Sequence, residues 1–263
     1  GARTAGHPEF GHAKGIETTT GPLGQGIANA VGMAMAERHM AARYGDDLVN
    51  HHTYVIAGDG CLMEGVSHEA ASMAGHMKLG RLIVLFDDNN ISIDGGTDLS
   101  TSDDTSGRFE AYGWQVLSCN GHDMDAVSDA IGAAQADDRP SLICCKTIIG
   151  LGAPNKQGTS GAHGAPLGDA EIAQARKTLG WPHPAFEIPT DILAEWRAVG
   201  ARGAAAHQSW QDRHAASQNQ TAFDAAIATD FDKGVAAAVL AWKNQLASAP
   251  QKLATRVASQ KAI

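Results

Sequence analysis

At 263 residues and 43% apolar content, the chain can bury the core of one larger domain plus a smaller appendage. Its 29 acidic and 20 basic residues give a formal net charge of -9, which disfavours nucleic acid and anionic membrane as partners, since clustered Lys and Arg drive binding to phosphate backbones. A phosphate-bearing ligand must then draw much of its positive field from a metal ion or from backbone amides.

The cysteines Cys61, Cys119, Cys144 and Cys145 contain no CxxC pair, and the last two sit together in an apolar run. That spacing argues against a disulfide framework or zinc site and for buried, reduced thiols. No stretch approaches the roughly twenty apolar residues that span a bilayer. The opening residues are unlike a signal peptide, so a soluble cytoplasmic protein is expected. The chain starts at Gly1, runs at once into Gly6-His7-Pro8-Glu9, and stops after Ala258 to Ile263 without a polar tail. Both ends are expected to be cuts in a longer polypeptide.

Residues 1–22 are glycine-rich and irregular. From Leu23 to about Arg43, Ile27, Val31, Met35 and Met40 recur at near-helical spacing, which predicts a helix. His52 to Ala57 reads as a short buried strand, broken by Gly58-Asp59-Gly60. A helix follows over roughly Gly65 to Met77. Arg81 to Phe86 is a second apolar strand, ending in Asp87-Asp88-Asn89-Asn90. Gly113 to Ser118 and Ser141 to Thr147 give two more strands, with a helix between them from about Asp123 to Ala136. Strands alternating with helices imply right-handed crossovers, and so an α/β fold with a mostly parallel sheet and helices on both faces. This domain is expected over residues 1–188. Residues 189–263 are rich in Ala, Gln and Lys with Trp196, Trp210, Phe223, Phe231 and Trp242 as scattered anchors, and read as a helical extension or interdomain linker.

The informative spacing joins two strand ends. Gly58-Asp59-Gly60 and Asn89-Asn90 are separated by 28 residues, each at the carboxyl end of a predicted strand. In open α/β sheets, ligands bind outside those ends, so both segments can line one crevice. Glycines flanking Asp59 let the backbone approach a ligand closely. A diphosphate there needs a divalent hard cation, which takes oxygen ligands. Asp59 offers a carboxylate, Asn89 a side-chain carbonyl and Ile91 a backbone carbonyl, an all-oxygen set that favours Mg²⁺ or Ca²⁺ over Zn²⁺. Taken singly, Asp59 reads as a turn residue and Asn89 as a cap. Only the pairing points to a site.

Gly58-Asp59-Gly60 with Asn89-Asn90 matches the thiamine-diphosphate signature. The segments GHPEF, ETTTGPLGQGIANAVGMAMAE, GDGCLMEGVSHEAASMAG, DDNNISIDG, RFEAYGW, CKTIIG and HGAPLGD resemble transketolases, over nearly the whole chain and most densely over residues 6–181. The resemblance implies reversible transfer of a two-carbon ketol unit from a ketose phosphate to an aldose phosphate in the pentose phosphate pathway. It implies Asp59, Asn89 and the Ile91 carbonyl as metal ligands, and Gly60 as an amide contact to the diphosphate. Gly21, Pro22 and Leu23 would line the aminopyrimidine and thiazolium. His7 would contact the donor sugar, and His163 the substrate and diphosphate. Loops on a rigid sheet commonly carry such roles, although either histidine can also serve only its own turn. Glu64, otherwise a charge matched to a helix start, would join a carboxylate network at the interface of a homodimer. Where the family often has a second histidine, three residues before His163, this chain has Ser160. That departure bears on contacts to phosphorylated acceptors.

The family's pyrimidine-binding domain, which supplies the activating carboxylate across the dimer interface, matches no segment after residue 189. This chain alone is therefore expected to be inactive. Two other readings are a related thiamine-diphosphate enzyme such as a dihydroxyacetone synthase, and a non-catalytic cofactor-binding module. A generic nucleotide-binding protein is disfavoured by failed fingerprints. His68-Glu69-Ala70-Ala71-Ser72 lacks the second zinc-binding His, residues 75–81 lack the P-loop Lys-Ser/Thr, and the glycines of residues 21–26 are misordered for a dinucleotide site. His39, His51, His183, His207 and His214 are expected to face solvent.

Overall fold

The computed structural model describes residues 6–228 and 233–262. In chain order its elements are α1 (Gln25–Tyr44), β1 (Thr53–Gly58), α2 (Asp59–Met63), α3 (Gly65–His76) and β2 (Leu82–Asp88). A two-stranded ribbon of β3 (Ile91–Ser92) and β4 (Gly95–Gly96) follows, then α4 (Thr105–Ala111), β5 (Gln115–Asn120), α5 (Met124–Gln135) and β6 (Ser141–Lys146). The remainder is helical: α6 (Asp169–Thr178), α7 (Thr190–Ala216), α8 (Gln220–Ile227), α9 (Lys233–Ser248) and α10 (Thr255–Ala262). Two compact units are present, Gly1–Arg213 and His214–Ile263. No described helix is long and apolar enough to cross a membrane.

The main sheet has the order β1-β2-β6-β5, with every pairing parallel. Its two central strands are the most apolar segments of the sequence because helices cover both their faces. Along β2, Leu82, Val84 and Phe86 point into a cluster with Ile27 and Val31 of α1, Ala71 and Ala74 of α3, Phe109 and Trp114. The alternate residue Ile83 points the other way, into a second cluster with Ile143 of β6 and Ala134 of α5. Period-two alternation thus divides one apolar run between two cores. Burying each such side chain stabilises the fold by about 1.5–3 kcal/mol before entropy is counted.

Observed boundaries shift slightly from the predicted ones. Helix α1 begins at Gln25 because Gly24 has φ 81, a left-handed conformation outside the helix. Strand β5 begins at Gln115 and not Gly113. Gly113 has φ 86, and Trp114 is diverted into the core, where its indole N–H donates to the Ala71 carbonyl at 2.9 Å. Periodicity did not reveal α2, the β3–β4 ribbon, α4 or α6. All four are short and gain their order from packing and caps, as where Asp104 accepts from the Gly107 amide at the start of α4. The α7 residues Trp210 and Arg213 reach back to the carbonyls of Leu48 and Asp47. Trp196, expected to anchor, is 77% exposed, and Phe231 lies outside the described residues.

Candidate functional site

Three parallel strands bring their carboxyl ends to one edge. Gly58 of β1 pairs in register with Asp87 of β2, and Asp87 with Cys145 of β6. Asp59 therefore begins α2 beside the point where Asn89 leaves β2. Asn90 then adopts φ 59, a left-handed conformation that asparagine tolerates better than most residues, and turns the chain into the ribbon starting at Ile91. A cavity of about 470 Å³ opens here, lined among others by Leu23, Asp59, Gly60, Asn89, Ile91 and His163. These are six of the residues singled out in the sequence, drawn from positions 23 to 163.

Within this cavity Asp59 is the most perturbed group. Burial, and after it the nearby charge of Asp88, pushes its carboxyl up to about 6 from 3.8. Its Oδ2 is buried and has no hydrogen-bond partner among the described residues. An unpaired buried carboxylate oxygen is costly, and a bound cation is the chemistry that relieves it. The Asn89 side chain is held at both ends: its Oδ1 accepts the Ile91 N–H at 2.9 Å, and its Nδ2 donates to Asp87 Oδ2 at 3.1 Å. Gly60 lies where an added Cβ would come within 3.2 Å of Leu23 Cδ1, so the loop before α1 closes on the turn after β1. Among the described residues no group of three His, Cys, Asp or Glu side chains could share a metal. The predicted set differs in kind, with one carboxylate, one amide oxygen and one backbone carbonyl. Those oxygen donors suit a hard divalent ion.

The other predicted residues are placed around this centre. Gly21 and Pro22 line a neighbouring cavity of about 500 Å³ along β1, together with Cys61, whereas Leu23 reaches the first cavity. The ring of His7 abuts Gly21, with its Cγ 3.2 Å from where a Cβ would stand. His163 is exposed and closes the single turn Ser160–Ala162, its amide donating to the Ser160 carbonyl at 2.9 Å. Glu64 is exposed and does not line the cavity. It packs on Gly24, and its carbonyl accepts from the Ser67 amide at the start of α3.

Sequence reasoning assigned no role to Asp87, Asp88, Lys146 or Thr147. The two aspartates sit in the tetrapeptide that ends in Asn89-Asn90, a signal that was present. Asp88 is buried and ion-paired with Lys146. Lys146 and Thr147 lie in CKTIIG, one of the segments that resemble transketolases, but the link of Thr147 to the site exists only through the β2–β6 pairing. Two histidine expectations also need correction. His214 is half-buried, bonded to Asp224 at 2.7 Å and packed edge-on against Phe223, and His183 is half-buried against Trp181. All four cysteines are free, but only Cys144 and Cys145 are buried, while Cys61 and Cys119 are half-buried.

With this geometry in view, known proteins give a consistent comparison. The family described as "Transketolase, thiamine diphosphate binding domain" matches residues 1–236. A transketolase of Cereibacter sphaeroides is 60% identical over 263 residues, covering 100% of this chain and 40% of that protein. One of Sinorhizobium medicae is 52% identical, covering 100% and 38%. The crystal structure of transketolase from Campylobacter jejuni superposes with a TM-score of 0.84 at 40% identity, covering 88% of this chain and 37% of that one. This chain thus spans about 40% of the length of such relatives. Sequence, fold and the pairing of two strand ends agree: the chain belongs to the transketolase family, in the part that forms its thiamine diphosphate binding domain.

Proposed function

We propose that this chain is the diphosphate- and metal-binding part of a transketolase, a cytoplasmic enzyme that reversibly transfers a two-carbon ketol unit from a ketose phosphate to an aldose phosphate. The observation that carries this reading is Asp59, whose buried Oδ2 lacks a partner among the described residues in the cavity that Asn89, Ile91 and His163 also line. Asp59, the Asn89 Oδ1 and the Ile91 carbonyl would hold a divalent cation, Mg²⁺ or Ca²⁺, against the diphosphate. Thiamine diphosphate supplies the carbanion-stabilising chemistry when bound.

The chain's own residues bind and orient. Gly60 offers a backbone amide to the diphosphate with no side chain in the way. Leu23, Ile93 and Ile149 give the cavity an apolar wall against which the ring system would pack. Gly21 and Pro22, which line the neighbouring cavity, would face the aminopyrimidine. His163, at the cavity, and His7, against Gly21, would donate to the sugar or phosphate oxygens and exchange protons with the substrate hydroxyls. Ser160 in place of a further histidine predicts weaker contact with the acceptor phosphate. Residues 1–188 would form the diphosphate-binding domain, and 189–263 the connector to a pyrimidine-binding domain in the longer polypeptide. Glu64 would meet the partner in a homodimer with the site at the subunit interface.

The test is calorimetry of thiamine diphosphate on the full-length polypeptide with and without Mg²⁺, alongside ketol transfer to an aldose phosphate or to formaldehyde. Metal-dependent binding with preference for the aldose phosphate is expected. Binding that ignores the metal, or preference for formaldehyde, would overturn this reading.

A further inference from the structure

Thr147 stands just past β6, sixty positions from Asp87 in sequence, yet its hydroxyl donates to Asp87 Oδ1. The other oxygen of the same carboxylate accepts from Asn89 Nδ2 at 3.1 Å. The backbone repeats this connection one residue away, where the Thr147 amide donates to the Asp88 carbonyl at 3.3 Å. Asp87 is thereby clamped between strand β6 and the loop that leaves β2. Asp87 Oδ2 takes the Asn89 nitrogen while the Ile91 N–H takes the Asn89 oxygen, so two neighbours together hold the amide in one of its two flips. In that flip the Asn89 oxygen is turned to the Ile91 N–H at 2.9 Å, which uses one of its two lone pairs. The second lone pair remains for a cation, and Asn89 lines the cavity.

We propose that Thr147 and Asp87 are positioning residues that lock the Asn89 amide with its oxygen presented as a metal donor, so that β6 takes part in cation binding without touching the ion. The inference rests on the metal site of the preceding section and extends it to the residue that follows a third strand. Without the hydroxyl, Asp87 loses its tie to β6 and can rotate. The Asn89 amide then keeps only the Ile91 N–H to hold its orientation, and its nitrogen, which cannot ligate, can turn toward the cation more readily. Partners that orient metal ligands in this way typically alter affinity by about 10–100-fold.

The full-length polypeptide with thiamine diphosphate is titrated with Mn²⁺, and free Mn²⁺ is read by electron paramagnetic resonance, with no turnover involved. Thr147→Val, which keeps the volume and every charge, is expected to weaken Mn²⁺ binding about tenfold. Thr147→Ser is expected to restore it to within about twofold, because it returns the hydroxyl alone. Should the valine variant not fold, Thr147→Ala is read in its place. Asp59→Asn separates the two levels of the argument. Loss of Mn²⁺ binding in Asp59→Asn with wild-type affinity in Thr147→Val would overturn the positioning role and leave the metal site standing. Serine as weak as valine would overturn it too. Unchanged binding in Asp59→Asn would overturn the metal site and the positioning role together.

Discussion

Gly58 and Asp87 face each other as the last register pair between β1 and β2, and that one rung places Asp59 and Asn89 at a common cavity. The residue after Gly58 starts a helix and the second after Asp87 starts a turn, so both side chains leave the sheet at the same edge. A slip of one residue would reverse the faces of β2 and separate the pair. Register is fixed because Val84 and Ile83 are committed to different cores.

Asp59→Asn is expected to reduce metal-dependent thiamine diphosphate affinity by tenfold or more, since an amide oxygen replaces the only carboxylate in the proposed donor set. The fold should tolerate it, because the buried Oδ2 has no partner among the described residues to lose. Calorimetry gives the affinity and a thermal melt the stability. Equal affinity in variant and wild type would remove Asp59 from the site.

In the proposed metal site, proton and cation would compete for the Asp59 carboxylate. With Asp59 at about 6, metal affinity should fall as pH drops through 6, by roughly tenfold per unit below it. Stability of the metal-free protein should respond in the opposite sense. The folded state holds this proton more tightly than the unfolded one, so the group's favourable contribution is present at low pH and is lost as pH rises from 3.8 through 6. Titrations with Mg²⁺ across this window check the first effect, and denaturant midpoints of the Asp59→Asn variant against wild type isolate the second.

Glu171 orders the loop that leads toward His163. Its carboxylate accepts from the Asn155 amide at 2.7 Å, the Lys156 amide at 3.1 Å and Asn155 Nδ2 at 2.9 Å. The side-chain bond from Asn155, followed by its backbone bond, holds the group below its ordinary 4.5. That contribution is present above 4.5 and is lost as pH falls through the depressed value. Glu171→Ala should speed hydrogen exchange at residues 155 and 156 by roughly tenfold or more while leaving β2 and β6 unchanged. Uniform acceleration across the sheet would instead mean a global loss of stability.

Gly75 is required for packing and not for backbone freedom. A Cβ there would lie 1.9 Å from the Tyr112 carbonyl oxygen, which belongs to the backbone and cannot rotate away. Gly75→Ala should push α3 off the turn before β5 and destabilise the protein by about 1–3 kcal/mol. A chemical denaturation curve measures it, and an unchanged midpoint would show that the helix shifts without cost.

Much of the candidate site was legible in the sequence because it is built from strand ends. Apolar runs locate the strands, the alternation with helices makes them parallel, and parallel strands end their carboxyl termini together. Asp59, Asn89 and Ile91 follow from that logic, and His163 followed only by family resemblance. His7 and Glu64 carried the same resemblance, yet they sit beside Gly21 and Gly24 at the margin.

The amino-acid order thus determined the sheet and the pairing of residues 59 and 89, since both depend on local periodicity and on the direction in which each strand ends. Tertiary structure decided what surrounds them: which carboxylate is deprived of water, which neighbours bond to the Asn89 amide, and that a threonine sixty positions from Asp87 bonds to its carboxylate. Those outcomes rest on desolvation and hydrogen bonding between neighbours in space, and such neighbours leave no periodic trace along a chain.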